Sequence, residues 1–130
     1  MTAWTSHELT KVGTADELEI SGLRPHGTMR NPVTIWVVRL GDDLYVRSVN
    51  GPTGAWFRGA RERGRGRISA GGVERDVAFV DPDHDIDDEL DAAYREKYRR
   101  YGGSPVEAIT SPGARSTTIK LEPVEGTEKA

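Results

Sequence analysis

The chain has 130 residues, with 18 Lys and Arg against 21 Asp and Glu, three His, no Cys, 15 Gly and seven Pro. Length and composition fit one domain, residues 1–130, because area scaling lets a chain of this size bury roughly two-thirds of its unfolded surface. The absent cysteines exclude disulfides, thiolate nucleophiles and Cys-based zinc or iron–sulfur sites, and no apolar run approaches the ~20 residues of a membrane span.

Thr5 or Ser6 caps a short helix through Val12, and Asp16 to Ser21, with alternating Leu18 and Ile20, reads as a first strand. The stretch from Met1 to Lys11 lacks the apolar core of an export signal, so the expected location is the cytoplasm. Gly22 to Pro32 is a loop. Val33 to Leu40 carries the strongest β signal and is apolar on both faces, as expected of a barrel wall with a partner packed outside it. Gly41-Asp42-Asp43 turns it into a second strand, Leu44 to Val49.

A helix is predicted from Thr53 to Arg63 with Gly64 as its stop, then a hairpin of Gly66 to Ala70 and Val73 to Val80 around Gly71-Gly72. Ile86, Leu90, Tyr94, Tyr98 and Tyr101 recur at helical spacing and mark an amphipathic helix ending at Gly102-Gly103. Ser116 to Leu121 is a final strand, and 122–130 a frayed tail. About six strands and three helices in this order fit a small antiparallel barrel with flanking helices.

The net charge of -3 conceals local imbalance. Arg39 to Arg67 holds seven arginines against three acids, while Asp81 to Asp91 holds seven acids and no Lys or Arg. The acids followed by Arg95, Lys97, Arg99 and Arg100 match what a helix dipole favours, with Asp91–Arg95 and Glu96–Arg100 at i,i+4. On that reading the acids form a solvated helix face. The arginine block has no such local explanation. Arg58 and Arg61 share a helical face, and an Arg-only cluster suits phosphate or carboxylate. A nucleic-acid partner is disfavoured by the acidic block.

Several chemistries fail on their details. His7-Glu8 lacks the second His of a zinc-protease helix, and Gly59-x-x-x-x-Gly64 is followed by Arg65-Gly66 in place of the Lys and Ser or Thr of a phosphate loop. Asp81-x-Asp83-x-Asp85 starts like a calcium loop, but Ile86 stands where Gly is needed and Ala92 where Glu is needed. No metal site is expected. Redox chemistry would require a bound cofactor.

The stretch Asn31 to Ser48, followed by Ala55-Trp56-Phe57-Arg58-Gly59-Ala60 and Ala93-Tyr94-Arg95-x-Lys97-Tyr98, resembles the uncharacterised domain of unknown function family 2255. More distantly, a strand ending Tyr45-Val46-Arg47-Ser48, then Asn50-Gly51, then an Ala-Trp-aromatic helix start is similar to the deazaflavin-dependent nitroreductase group of flavin-binding split β-barrels. That resemblance implies a six-stranded antiparallel split β-barrel, commonly a homodimer, with FMN or a deazaflavin in a groove. Carried over by position, it implies that Arg47, Ser48, Asn50 and Gly51 meet the cofactor, that Trp56 lines the groove, and that Arg58 and Arg61 offer charge to phosphates. The basic loop common in those nitroreductases is represented here only by Arg24 to Arg30, which weakens the expected phosphate contact there. Trp36 reads as core. Two functions follow: a cofactor-dependent oxidoreductase acting on a small molecule, or a barrel without cofactor that binds a small ligand or a protein.

Overall fold

The computed structural model describes residues 3–124. Helix α1 (Ser6–Thr14) starts on a capping box, in which the Thr5 hydroxyl accepts from the Glu8 amide at 3.1 Å and the Glu8 carboxylate accepts from the Thr5 amide at 3.0 Å. Strands β1 (Leu18–Gly22), β2 (Val33–Ile35), β3 (Val38–Leu40) and β4 (Asp43–Val46) follow, then α2 (Ala55–Arg63) and the hairpin of β5 (Arg65–Ala70) and β6 (Val73–Val80). Gly71 and Gly72, at φ 58° and 87°, form the hairpin turn that only glycine takes at both positions without strain. Helices α3 (Asp87–Tyr98), α4 (Gly103–Ile109) and α5 (Pro112–Arg115) precede the last strand, β7 (Ile119–Pro123).

All strands pair antiparallel in one sheet of order β2-β1-β5-β6-β7-β4-β3. Strands β2 and β3 are separated by only Trp36 and Val37, yet they stand at opposite ends of that order. The sheet therefore curls until its two edges meet at one continuous stretch of chain. This is the split-barrel architecture, with seven strands where six were expected. The extra strand arises because the predicted Val33–Leu40 strand changes pairing partner at its middle.

A phenol holds the break. The Tyr98 hydroxyl accepts from the Val37 amide at 3.1 Å and donates to the Asp16 carbonyl at 2.8 Å, while the Lys97 ammonium donates to the Val37 carbonyl at 2.7 Å. Backbone groups that lose their ladder partners at Val37 are thus satisfied by side chains of α3.

Two apolar clusters result. Inside the barrel, Leu18, Ile20, Val37, Leu44, Val46, Ile68, Val77, Ile119 and Leu121 pack with Leu9 and Val12 of α1 and Phe57 of α2. Outside it, Val38 and Tyr45 are covered by Leu90, Tyr94 and Tyr98 of α3 and by Val106 and Ile109 of α4. The expected covering on both sides holds at Val37 and Val38, one in each cluster, whereas Val33 and Thr34 of β2 are exposed.

Three further expectations are corrected. Residues 103–115, where no helix was foreseen, carry α4 and α5. Glu122 and Pro123 are not tail but pair with Ala78 and Val77 of β6; residues 125–130 lie outside the described residues. The acids of Asp81–Asp91 do not simply form a solvated face. Asp81 pairs with Arg61, Asp88 with Arg115, and Asp91 with Arg47 and Arg115, so they neutralise arginines from distant segments.

The Arg47–Asp91 pair is buried, with both side chains under a tenth exposed and 2.6 Å between Nη1 and Oδ1. Removing one member of such a pair leaves an uncompensated charge, at a cost of about 3–5 kcal/mol, whereas replacing both by apolar groups is often tolerated. Asp87 keeps a second carboxylate 3.7 Å from the Arg47 guanidinium. Asp91→Ala should therefore destabilise at the lower end of that range, about 3 kcal/mol, and Arg47→Met with Asp91→Leu should restore most of the loss. Urea unfolding midpoints of the two variants check this.

Candidate functional site

The turn after β4 positions one wall of the candidate groove. Ser48 is buried. Its hydroxyl donates to the Gly51 carbonyl at 2.9 Å, and its amide donates to the Thr117 hydroxyl at 2.8 Å. Gly51 has φ 75°, which closes the turn and leads through a single 3-10 turn into α2. Val49, between these fixed residues, is half exposed. From the start of α2, Trp56 packs edge-on against the buried Phe57, with ring centroids 6.1 Å apart.

Trp56 stands between two adjoining cavities of about 250 Å³ each. The first is largely apolar and is lined by Ile35, Trp36, Val49, Trp56, Pro105 and Ile109, with Thr34 and Arg47 at its polar margin. The second is lined by Ile20, Val33 and Ala55 together with Arg24, Arg30 and Asn31. Strand β2 runs past both. They share Trp56, and taken together as the candidate groove their volumes sum to the ~300–1,000 Å³ range of small-molecule sites, with Trp36 in the first cavity, two arginines in the second and Trp56 between them. A larger depression of about 630 Å³ lies against β7, lined by Trp4 and by charges of both signs (Asp42, Asp43, Arg65, Lys120 and Glu122). It offers neither a pair of aromatic faces nor charge of a single sign.

The indole of Trp36 is held rigidly from behind. Its ring stacks on Tyr98 with centroids 3.9 Å apart and planes 3° from parallel, and Tyr101 packs at 5.6 Å. Trp36 was expected to be core; it belongs to the core on one face and to the groove on the other. Burial pushes the Tyr98 and Tyr94 phenols well above the ordinary tyrosine range. Lys97, beside this stack, has its ammonium pulled down to about 8 by burial, which outweighs the opposing attraction of Asp16, with Arg100 adding a smaller downward push.

The sequence-predicted site residues separate into groups. Trp56 lines both cavities. Arg47 reaches the margin of the first, but the guanidinium is committed inside the protein: Nε donates to the Thr118 hydroxyl at 2.9 Å, Nη1 to Asp91 and to the Ile109 carbonyl, and the Tyr94 ring lies 5.4 Å away. Ser48 and Gly51 shape the turn, and Asn50 is exposed. Arg61 lies on the other flank of α2, bidentate to Asp81 at 2.6 and 3.2 Å and over the Phe57 ring. Arg58 is exposed and lines neither cavity of the groove.

The basic end comes instead from Arg24 and Arg30. Their loop is a small closed structure: Leu23 bridges to Met29, the Arg24 amide donates to the Thr28 carbonyl at 2.8 Å, and the Arg30 amide donates to the Gly22 carbonyl at 2.8 Å. Arg63 of α2 ties the loop down through the Pro25 carbonyl at 2.6 Å. Pro105 and Ile109 were also missed, although Ser104-Pro105 and Ser111-Pro112 each carry the polar residue and proline of a helix start. Among the described residues no three His, Asp or Glu side chains gather as metal ligands.

Residues 8–121 match the family described as an uncharacterized protein conserved in bacteria, DUF2255. The chain belongs to this family. No curated protein matches this DUF2255 chain in sequence. In fold it is similar to an F420 reductase (13% identity, 90% of this chain and 93% of the other covered, TM-score 0.62). It is also similar to HutZ, a heme storage protein from Vibrio cholerae (12%, 86% and 84%, 0.61). A FAD-binding protein from Mesorhizobium loti is a third (17%, 95% and 93%, 0.56). At these identities the likeness is one of fold, and it bears out the split barrel foreseen from the DUF2255 sequence.

The lowered Lys97 pKa has a measurable consequence. The unfolded chain holds this proton up to about 10.5 and the folded DUF2255 protein only to about 8, so between those values the unfolded state binds more protons. Stability should rise with pH from about 8, until the unfolded tyrosines ionise near 10 and the raised Tyr94 and Tyr98 phenols reverse the trend. Lys97→Met should flatten the rise, as read from urea midpoints at successive pH values from 7 to 10.

Proposed function

We propose that the groove on either side of Trp56 holds a flavin-type cofactor, FMN or a deazaflavin, and that the protein is an oxidoreductase acting on a small molecule. The observation that carries this reading is the pairing of aromatic and basic ends in one groove. A flavin-type cofactor has a flat ring at one end and a phosphate-bearing tail at the other. Trp36, fixed by its stack on Tyr98, and Trp56 offer faces to the ring. Arg24 and Arg30 offer donors to the phosphate. The similar structures described as an F420 reductase and a FAD-binding protein support the same class of ligand.

The cofactor, when bound, supplies hydride or electron transfer. The chain's own residues bind and orient it. The rigid Trp36 fixes the ring plane at low entropic cost, Ile35, Val49 and Ile109 exclude water from one side, and the Ser48–Gly51 turn keeps Val49 in place. Arg47 contributes by anchoring the structure beneath the groove, its donors being already taken.

The groove is open along a rim where Val33 and Val49 are exposed, and a second copy of the chain closing that rim makes the protein a homodimer. Light scattering at high concentration checks this, a monomer counting against it.

Titration with FMN and with a deazaflavin, followed by cofactor fluorescence, should give saturable binding at micromolar levels for one of them. Loss of a stacking indole costs about 0.5–1.5 kcal/mol beyond area burial, so Trp56→Ala should weaken that binding by roughly two- to tenfold. Arg61→Ala, on the far flank of α2, should leave it unchanged. Absence of saturation with both cofactors would overturn the reading.

A further inference from the structure

The basic end of the groove carries its own counter-charge. Arg30 spans from the loop to α2, where its Nη2 pairs with the Glu62 carboxylate, while its Nε is shielded from solvent and has no hydrogen-bond partner among the described residues. The guanidinium lies flat on α2 at Gly59: a Cβ added there would stand 2.8 Å from Nε and 2.9 Å from Cδ. Gly59 is therefore the seat that lets Arg30 lie against the helix and face the groove. The ion pair is only partly buried, with side-chain exposures of 34% and 45%, so it is held weakly. Arg24 is braced within the loop, its Nη1 donating to the Met29 carbonyl at 2.7 Å.

We propose that Glu62 is a built-in competitor for the anionic group of the groove's ligand: a phosphate monoester entering beside Arg24 displaces the Glu62 carboxylate from Arg30. The inference rests on the groove being a ligand site and names the group recognised at its basic end. Glu62 holds Arg30 in place when no ligand is bound, and it sets a threshold that a neutral or weakly anionic ligand does not gain from crossing. It thus acts as a specificity-determining residue without contacting the ring.

The test is calorimetric titration of the wild type, Glu62→Gln and Asp81→Asn with FMN, riboflavin and inorganic phosphate. Asp81→Asn changes net charge equally but acts on the opposite flank of α2 through Arg61. An exposed ion pair limits the expected gain to about two- to fivefold. Glu62→Gln should tighten FMN and phosphate by that factor and leave riboflavin unchanged, with Asp81→Asn matching the wild type. Gly59→Ala, which α-helix propensity favours, should weaken FMN and phosphate by lifting Arg30 from its seat. Equal effects of Glu62→Gln and Asp81→Asn, or equal tightening of riboflavin and FMN, would overturn the proposal while leaving the cofactor reading intact. Phosphate following the expected order with no flavin binding would uphold the proposal and remove the cofactor reading. Failure of every variant to bind FMN or phosphate would overturn both.

Discussion

The position of Arg47 governs the arrangement of everything outside the barrel. It lies one residue beyond β4, and its donors reach Asp91 and Asp87 on α3, Thr118 at the approach to β7, and the last carbonyl of α4. A fully buried guanidinium is tolerable only with such a set of partners. The acids of α3 must therefore face inward at two positions, and Arg115 shares Asp91 from α5. With α3 held in this way, Tyr98 reaches the Trp36–Val37 break and supports the Trp36 indole. The groove wall is thus an indirect product of a charge pair two turns earlier on the same face of α3.

This arrangement also explains why a chain with nearly balanced charge is so unevenly written. Arg61, Arg67 and Arg75 find carboxylates on other elements, at Asp81, Asp76 and Glu8. The acidic block at the start of α3 neutralises arginines that precede and follow it by tens of residues. Local dipole arguments are valid for the end of α3, where Lys97 and the arginines gather, but they miss the inward-facing acids. Each such pair contributes little where it is exposed; the buried one determines register between layers.

The elements with strong local signals were legible in the sequence: the Thr5 cap, the Gly71-Gly72 hairpin, and the helix marked by Leu90, Tyr94 and Tyr98. The change of partner within Val33–Leu40 was not, because a barrel-closing stretch and a single long strand have the same residue pattern. Helices α4 and α5 were hidden by their shortness, although each has a serine and a proline at its start. In the candidate site, Trp56 was named only through the resemblance of its Ala-Trp-aromatic helix start to a known group, not through any spacing of its own. Arg24 and Arg30 were undervalued because they are six residues apart in a loop, and only the Leu23–Met29 bridge brings their ends together. Arg58 and Arg61 share a helical face as the spacing required, but nothing in the spacing reveals which way that face points.

The place of β7 has a consequence for how the chain reaches this state. It is the last strand in sequence among the described residues, yet it sits between β6 and β4, inside the sheet. Without it the sheet divides into a four-stranded piece, β2-β1-β5-β6, and the β4-β3 hairpin, joined only by the chain. During synthesis the first 118 residues can form helices and hairpins, but they cannot close the barrel. Closure joins segments separated by more than 70 residues, between β4 and β7, so it carries a large loop-entropy cost and comes late. The groove walls, which depend on that closure, are completed only when the carboxyl-terminal strand is in place.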